Sequence, residues 1–142
     1  MKKILIDTNV TLDILLRRQG YINANIIFSL AEHNKIVCYL SATTITDIFF
    51  LSKNDLGKQS AKEALKDLLQ VFKPATVTDC HIYQALDLNW NDFEDSVQFA
   101  VGESLTVDYI VTRNTKDFSS SNIPVITPEQ FIDIMINSEK RL

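Results

Sequence analysis

Four acidic residues sit against apolar sequence that a carboxylate ordinarily avoids. Asp7 ends the run Ile4-Leu5-Ile6, and Asp47 lies inside Ile45-Thr46-Asp47-Ile48-Phe49-Phe50-Leu51 with no Lys or Arg within one helical turn. Asp95 opens a helix beside Asp92 and Glu94, and Asp117 follows Tyr109-Ile110-Val111-Thr112 after a short turn. Each has a plain structural role open to it. Asp7 can cap a helix, Asp47 can lie on an exposed stripe, Asp117 can hold a turn, and Asp92, Glu94 and Asp95 can complement a helix macrodipole. Taken together they suggest chemistry. Two carboxylates at ~5 Å repel by roughly 3 kcal/mol at an effective dielectric of 20. Four in one crevice would strain a domain whose whole stability is about 5–15 kcal/mol. Protonation or a cation must offset that. A cleft of hard oxygen donors suits Mg²⁺ or Mn²⁺, ions that activate water and stabilise a phosphodiester in transition.

The elements that must position these acids can be read along the chain. Residues 3–7, 36–40, 72–77, 109–111 and 125–126 read as strands, most of them short and apolar. Helices are expected over about 10–16, 23–33, 43–52, 58–69, 80–88, 93–104 and from Thr127-Pro128-Glu129 to about Asn137, with Asn23, Ser41 and Asp79 as caps. Alternating strands and helices argue for α/β architecture with a parallel sheet covered on both faces. In such a sheet ligands bind outside the carboxyl ends of the strands. Asp7 and Asp117 both follow such ends, and Asp47 and Asp95 sit early in helices that can start at the same edge. One domain over residues 1–137 accounts for the pattern, with 138–142 as a frayed tail.

Composition narrows the function classes. The chain has 142 residues, 46% hydrophobic and 23% charged, with a net charge of −4. That excess of acid argues against a protein held to nucleic acid by net charge alone. The 2 cysteines, Cys38 and Cys80, are too few for a disulfide framework and read as buried, reduced thiols of a cytoplasmic protein. No apolar run approaches a membrane span, and with 3 glycines a backbone phosphate cradle is not expected. His33 and His81 lack metal-ligand spacing and read as surface or capping residues.

The segments Asp7-Thr8-Asn9-Val10, Thr46-Asp47, Phe93-Glu94-Asp95-Ser96 and Thr112-Arg113-Asn114-Thr115-Lys116-Asp117-Phe118 resemble the successive motifs of PIN-domain nucleases, in order and at family-like spacings. The length resembles that of single-domain VapC-type toxins. The resemblance implies a three-layer Rossmann-like PIN domain with a parallel sheet of four to five strands flanked by helices. It also implies a Mg²⁺- or Mn²⁺-dependent endoribonuclease cutting single-stranded or structured RNA, the toxin of a toxin–antitoxin pair. In that reading Asp7, Asp47, Asp95 and Asp117 are catalytic, and Asp7, Asp95 and Asp117 hold one or two ions. Asn9, Thr112 and Asn114 orient acids or water. An antitoxin partner, a homodimer and 5′-phosphate and 3′-hydroxyl products are implied as well. Asp13 resembles a further acid of some relatives, but could equally pair with Arg17 one turn on. Arg17, Arg18, Lys53, Lys58, Arg113 and Lys116 could flank an RNA path, and Tyr21, Trp90 and Phe118 could stack bases, although packing roles fit them better. The rival reading is a non-catalytic PIN-like module that binds RNA or protein without cutting it.

Overall fold

The first strand, β1 (Lys2–Ile6), divides the core in two. The computed structural model describes residues 1–140. Ile4 and Ile6 pack into one cluster with Val10, Ile27, Leu40, Phe72 and Phe131, whereas Leu5 joins Val97, Val101, Ile110 and Phe118 in the other. That is the period-two alternation of a strand buried on both faces. The sheet is the middle of three layers.

After β1 come α1 (Thr8–Leu16), α2 (Tyr21–Glu32), β2 (Ile36–Ser41), α3 (Ala42–Leu56), α4 (Lys58–Leu68), β3 (Lys73–Ala75), α5 (Asp79–Asp87) and α6 (Phe93–Leu105). β4 (Tyr109–Val111), a 3₁₀ turn at Thr115–Phe118, β5 (Val125–Ile126) and α7 (Pro128–Lys140) complete the order. The five strands form one sheet in the order β3-β2-β1-β4-β5, with every neighbouring pair parallel. The order reverses direction between β1 and β4, the switch point at which an open α/β sheet leaves a crevice. This is the α/β architecture expected from the alternation of strands and helices.

Several boundaries differ from the sequence reading for local reasons. α2 starts at Tyr21, with Gly20 in the N-cap position, so Asn23 lies inside the helix and not at its cap. α3 continues through Asn54 and Asp55 to Leu56, where Gly57 turns the chain at φ +82°. β3 shrinks to three residues and tolerates Pro74, which has no N–H to give, because β3 is the edge strand and pairs only with β2. Thr78, not Asp79, caps α5, in a reciprocal capping box with His81. α7 runs to Lys140, so residues 138–140 extend a helix where a loose tail is expected from sequence; 141–142 lie outside the described residues. Cys38 is buried as expected, but Cys80 is exposed at the start of α5. Among the described residues no helix is long and apolar enough to cross a membrane.

Candidate metal centre

Asp7 follows β1 directly and is the N-cap of α1. Its backbone N–H donates to the Val111 carbonyl at the end of β4 (3.0 Å), so the residue sits at the switch point. The side chain is buried, and both oxygens are held. Oδ1 accepts from the Thr8 N–H (2.8 Å) and from Gln98 Nε2 (2.7 Å), and Oδ2 accepts from Thr112 Oγ1 (2.7 Å). The Thr112 hydroxyl in turn accepts from Asn9 Nδ2 (3.4 Å) and from the Asn114 N–H (3.1 Å). Asn9 Oδ1 accepts from the Arg113 N–H (3.4 Å). Asn9, Thr112 and Asn114 therefore meet around Asp7, with Asn114 contributing its backbone.

α6 supplies the second wall. Asp92 is its N-cap, accepting from the Asp95 N–H (3.0 Å), and this fixes Glu94 and Asp95 in the first turn. One carboxylate oxygen from each of Asp7, Glu94 and Asp95 lies within 4.8 Å of the others. Glu94 is thus part of the cluster, and complementing the helix dipole is not its only role. Its Oε1 accepts from Thr44 Oγ1 of α3 (3.3 Å) and from Gln98 Nε2 (3.1 Å). Gln98 is wholly buried and bridges Asp7 to Glu94 through one amide nitrogen, while its Oε1 has no hydrogen-bond partner among the described residues.

Crowding of like charges in a half-dry crevice perturbs both α6 acids. Burial, then the charges of Asp7, Asp92, Glu94 and Asp117, push Asp95 up to about 8. Burial, then Asp7 and Asp47, push Glu94 up to about 7 against the opposing hydrogen bonds from Gln98 and Thr44. At neutral pH Asp95 is mostly protonated and Glu94 about half so, unless a cation takes the place of the proton. Three carboxylates converging with no nitrogen or sulfur donor in the group, among the described residues, form a hard, all-oxygen set, which fits Mg²⁺ or Mn²⁺ better than a softer ion.

Asp47 and Asp117 do not enter the cluster of three. The buried face of α3 is Thr44, Ile48 and Ser52, and Asp47 lies beside it on an exposed stripe although its sequence neighbours are apolar. Asp117 is exposed on the 3₁₀ turn. Each stands at the rim, close enough for its charge to act, Asp47 on Glu94 and Asp117 on Asp95. Asp13 departs further from expectation. It is wholly buried and pairs with Arg113 (Nε to Oδ2, 2.8 Å), not with Arg17, whose left-handed backbone caps α1. Burial raises the Asp13 carboxyl, opposed by Arg113 and Arg18. A Cβ at Gly20 would overlap Asp13 Oδ2, so the close approach of the α1–α2 turn requires glycine there.

Among the aromatic residues, Phe118 is buried and cannot meet a base. Trp90 packs on Phe99 (5.0 Å between centroids) and on Phe118 (5.9 Å), and Tyr21 lies under Arg17 (5.6 Å). Glu94, Gln98 and Thr44 are the site residues that sequence reasoning missed. Gln98 carried a signal, being the polar residue in Val97-Gln98-Phe99-Ala100-Val101, one turn after Glu94.

A family model described as PIN domain matches residues 3–116. No curated protein matches the sequence. Solved structures of similar fold include VapC20 of Mycobacterium tuberculosis, described as a sarcin-ricin loop cleaving toxin, at 19% identity and a TM-score of 0.61, covering 75% of this chain and 86% of that one. VapBC2 from Rickettsia felis, bound to a DNA fragment from its promoter, aligns at 14% identity and a TM-score of 0.67, covering 87% and 96%. A toxin–antitoxin complex from Klebsiella pneumoniae aligns at 22% identity and a TM-score of 0.65, covering 88% and 97%.

Proposed function

The chain belongs to the PIN-domain family, and from that premise we propose that it is a Mg²⁺- or Mn²⁺-dependent endoribonuclease. The observation that carries the reading is the convergence of Asp7, Glu94 and Asp95 within 4.8 Å at the switch point of the sheet. Asp7 and Asp95 are the principal metal ligands in this account, Glu94 joins them, and Asp117 assists from the rim. A divalent ion bound there would lower the pKa of water and offset the charge that builds on a phosphodiester in transition.

The chain's own groups divide the remaining work. Gln98, Thr112 and the Thr8 N–H clamp Asp7 so that its carboxylate is preorganised. Asn9 and the Asn114 N–H fix the Thr112 hydroxyl that holds it. In this reading Asp47, exposed and near enough for its charge to act on Glu94, orients or deprotonates an incoming water. The substrate is single-stranded or structured RNA, cut to leave 5′-phosphate and 3′-hydroxyl ends.

The biological reading is a cytoplasmic toxin of a toxin–antitoxin pair, held by an antitoxin and self-associating as a homodimer. Structures of similar fold include toxin–antitoxin complexes. Ile22 (73% exposed) and Ile26 on α2, and Phe50 (60%) and Leu51 on α3, offer apolar surface for such contacts. The test is cleavage of a fluorescent RNA in Mn²⁺, repeated with EDTA and with Asp7→Asn and Asp95→Asn. Loss of cleavage in all three supports the reading. Cleavage that survives both substitutions refutes the site, cleavage that survives EDTA refutes the metal, and binding without cleavage by the wild type favours the non-catalytic module.

A further inference from the structure

Beside the acid cluster lies a second cleft, of about 150 Å³, which shares only its rim, at Asp92 and Asp117, with the proposed metal site. The loop between α5 and α6 lines it with Asn89, Trp90 and Asn91, and the 3₁₀ turn and the residues after it line it with Lys116, Ser119 and Ser120. Asp92 and Asp117 also line it. Asp92 holds the Asp95 N–H at 3.0 Å, so the cleft adjoins the metal centre. We propose that this cleft is a nucleobase subsite, which seats the base next to the scissile phosphate and sets sequence preference at that position.

The proposal rests on the nuclease reading and gives it a specificity element. The chemistry of the lining separates a base from other ligands. Two carboxylates against one ammonium disfavour a phosphate. Two amides and two hydroxyls, each able to donate and accept, suit the mixed edge of a neutral base. Among the described residues, no hydrogen bond within the chain engages the side chains of Asn89, Asn91, Ser119 or Ser120, so their polar groups are available. The volume is below the ~300–1,000 Å³ of a whole small-molecule site and suits one ring system with its sugar and phosphate outside. Unpaired bases of single-stranded RNA are read in this way, by side chains that reach their edges and by an aromatic ring. Lys116 then lies beside the RNA backbone as it leaves the cleft.

Trp90 is the only tryptophan of the chain, so its emission reports occupancy directly. The experiment titrates the full chain, in EDTA, with the four ribonucleoside 5′-monophosphates and with a short single-stranded RNA. In parallel, cleavage of an RNA library with a randomised centre is mapped for wild type, Asn91→Ala and Lys116→Ala, two variants on independent loops. The expected result is a saturable change in Trp90 emission that differs among bases. Asn91→Ala should weaken it by roughly tenfold and flatten preference at one position of the cleavage motif, with Mn²⁺ stabilisation in thermal melts unchanged. A wild type that cleaves while Trp90 stays silent and both variants keep the wild-type motif overturns the subsite and leaves the nuclease standing. Saturable, base-dependent emission without cleavage by the wild type overturns the nuclease, and with it the place of the base next to a scissile phosphate. Silence in both assays overturns both.

Discussion

Replacing Asp7 with Asn should reverse sign in its effect on stability between acid and alkaline pH when no metal is present. Asp7 faces Glu94 and Asp95 with carboxylate oxygens within 4.8 Å. At that separation and an effective dielectric of 20, each ionised pair repels by about 3.5 kcal/mol, or about 7 for the two pairs that contain Asp7. Both pairs are ionised only above about pH 8, because Glu94 titrates near 7 and Asp95 near 8. Against this relief stands the loss of charge-assisted hydrogen bonds. Asn keeps one acceptor oxygen for the three donors that now reach Asp7, so one or two bonds are lost at roughly 1.5–3 kcal/mol each. At pH 9 the relief of about 7 less a loss of about 2–3 leaves a net stabilisation of about 4–5 kcal/mol. At pH 5, with Glu94 and Asp95 protonated, only the lost bonds remain, and the variant should be about 2–3 kcal/mol less stable than wild type. Urea unfolding in EDTA at the two pH values reads both numbers from the midpoints. A destabilisation of the same size at both would refute the electrostatic reasoning.

Four further outcomes are expected. The metal-free wild type should lose stability as pH rises from about 4 to about 8. Over that range the folded Glu94 and Asp95 bind protons that the unfolded chain has released, at up to ~1.4 kcal/mol per pH unit per proton before solvent relaxation reduces it; a flat profile in EDTA contradicts the raised carboxyls. Mn²⁺ at 100 times its Kd should stabilise wild type by about 2.7 kcal/mol and Asp7→Asn not at all, as followed by thermal melts. Gln98→Ala should keep the fold and lose about 10–100-fold in metal affinity or cleavage, because it removes the donor shared by Asp7 and Glu94; unchanged metal binding would remove Gln98 from the site. Arg113→Ala leaves the Asp13 carboxylate buried without its partner. It should cost about 2–3 kcal/mol, less than a fully buried pair because Arg113 is 39% exposed; chemical denaturation measures this.

The layered fold was readable because its strands are short apolar runs separated by helical periodicity, and Asp7 was readable because it ends the first of them. The sheet needed no more than that, as β1 shows: Ile4 and Ile6 face one layer, and Leu5 the other. Boundaries failed where local chemistry competed with pattern. Gly20 took a cap position that Asn23 was better suited to fill, because only glycine fits against Asp13. The acid site was legible as a set of residues but not as a geometry. Asp47 looks buried in sequence because its neighbours are apolar, yet one helical position separates it from the buried stripe of Thr44, Ile48 and Ser52. Glu94 looks like an ordinary first-turn acid, and only the approach of β1 to α6 makes it a neighbour of Asp7. Helical spacing offers Arg17 as one possible partner for Asp13, a rule blind to the loop after β4 that delivers Arg113 across the fold. Such contacts between distant segments leave no local trace.

The claim that this chain cuts RNA at a metal held by Asp7, Glu94 and Asp95 is tested most directly by anomalous diffraction. The crystal would contain Mn²⁺ and an uncleavable single-stranded RNA. The account predicts a manganese peak ~2–2.5 Å from carboxylate oxygens of both Asp7 and Asp95, with a phosphate oxygen of the RNA in the same coordination sphere. A crystal that binds the RNA but shows no manganese at these carboxylates, or places the ion and the backbone elsewhere, would contradict it.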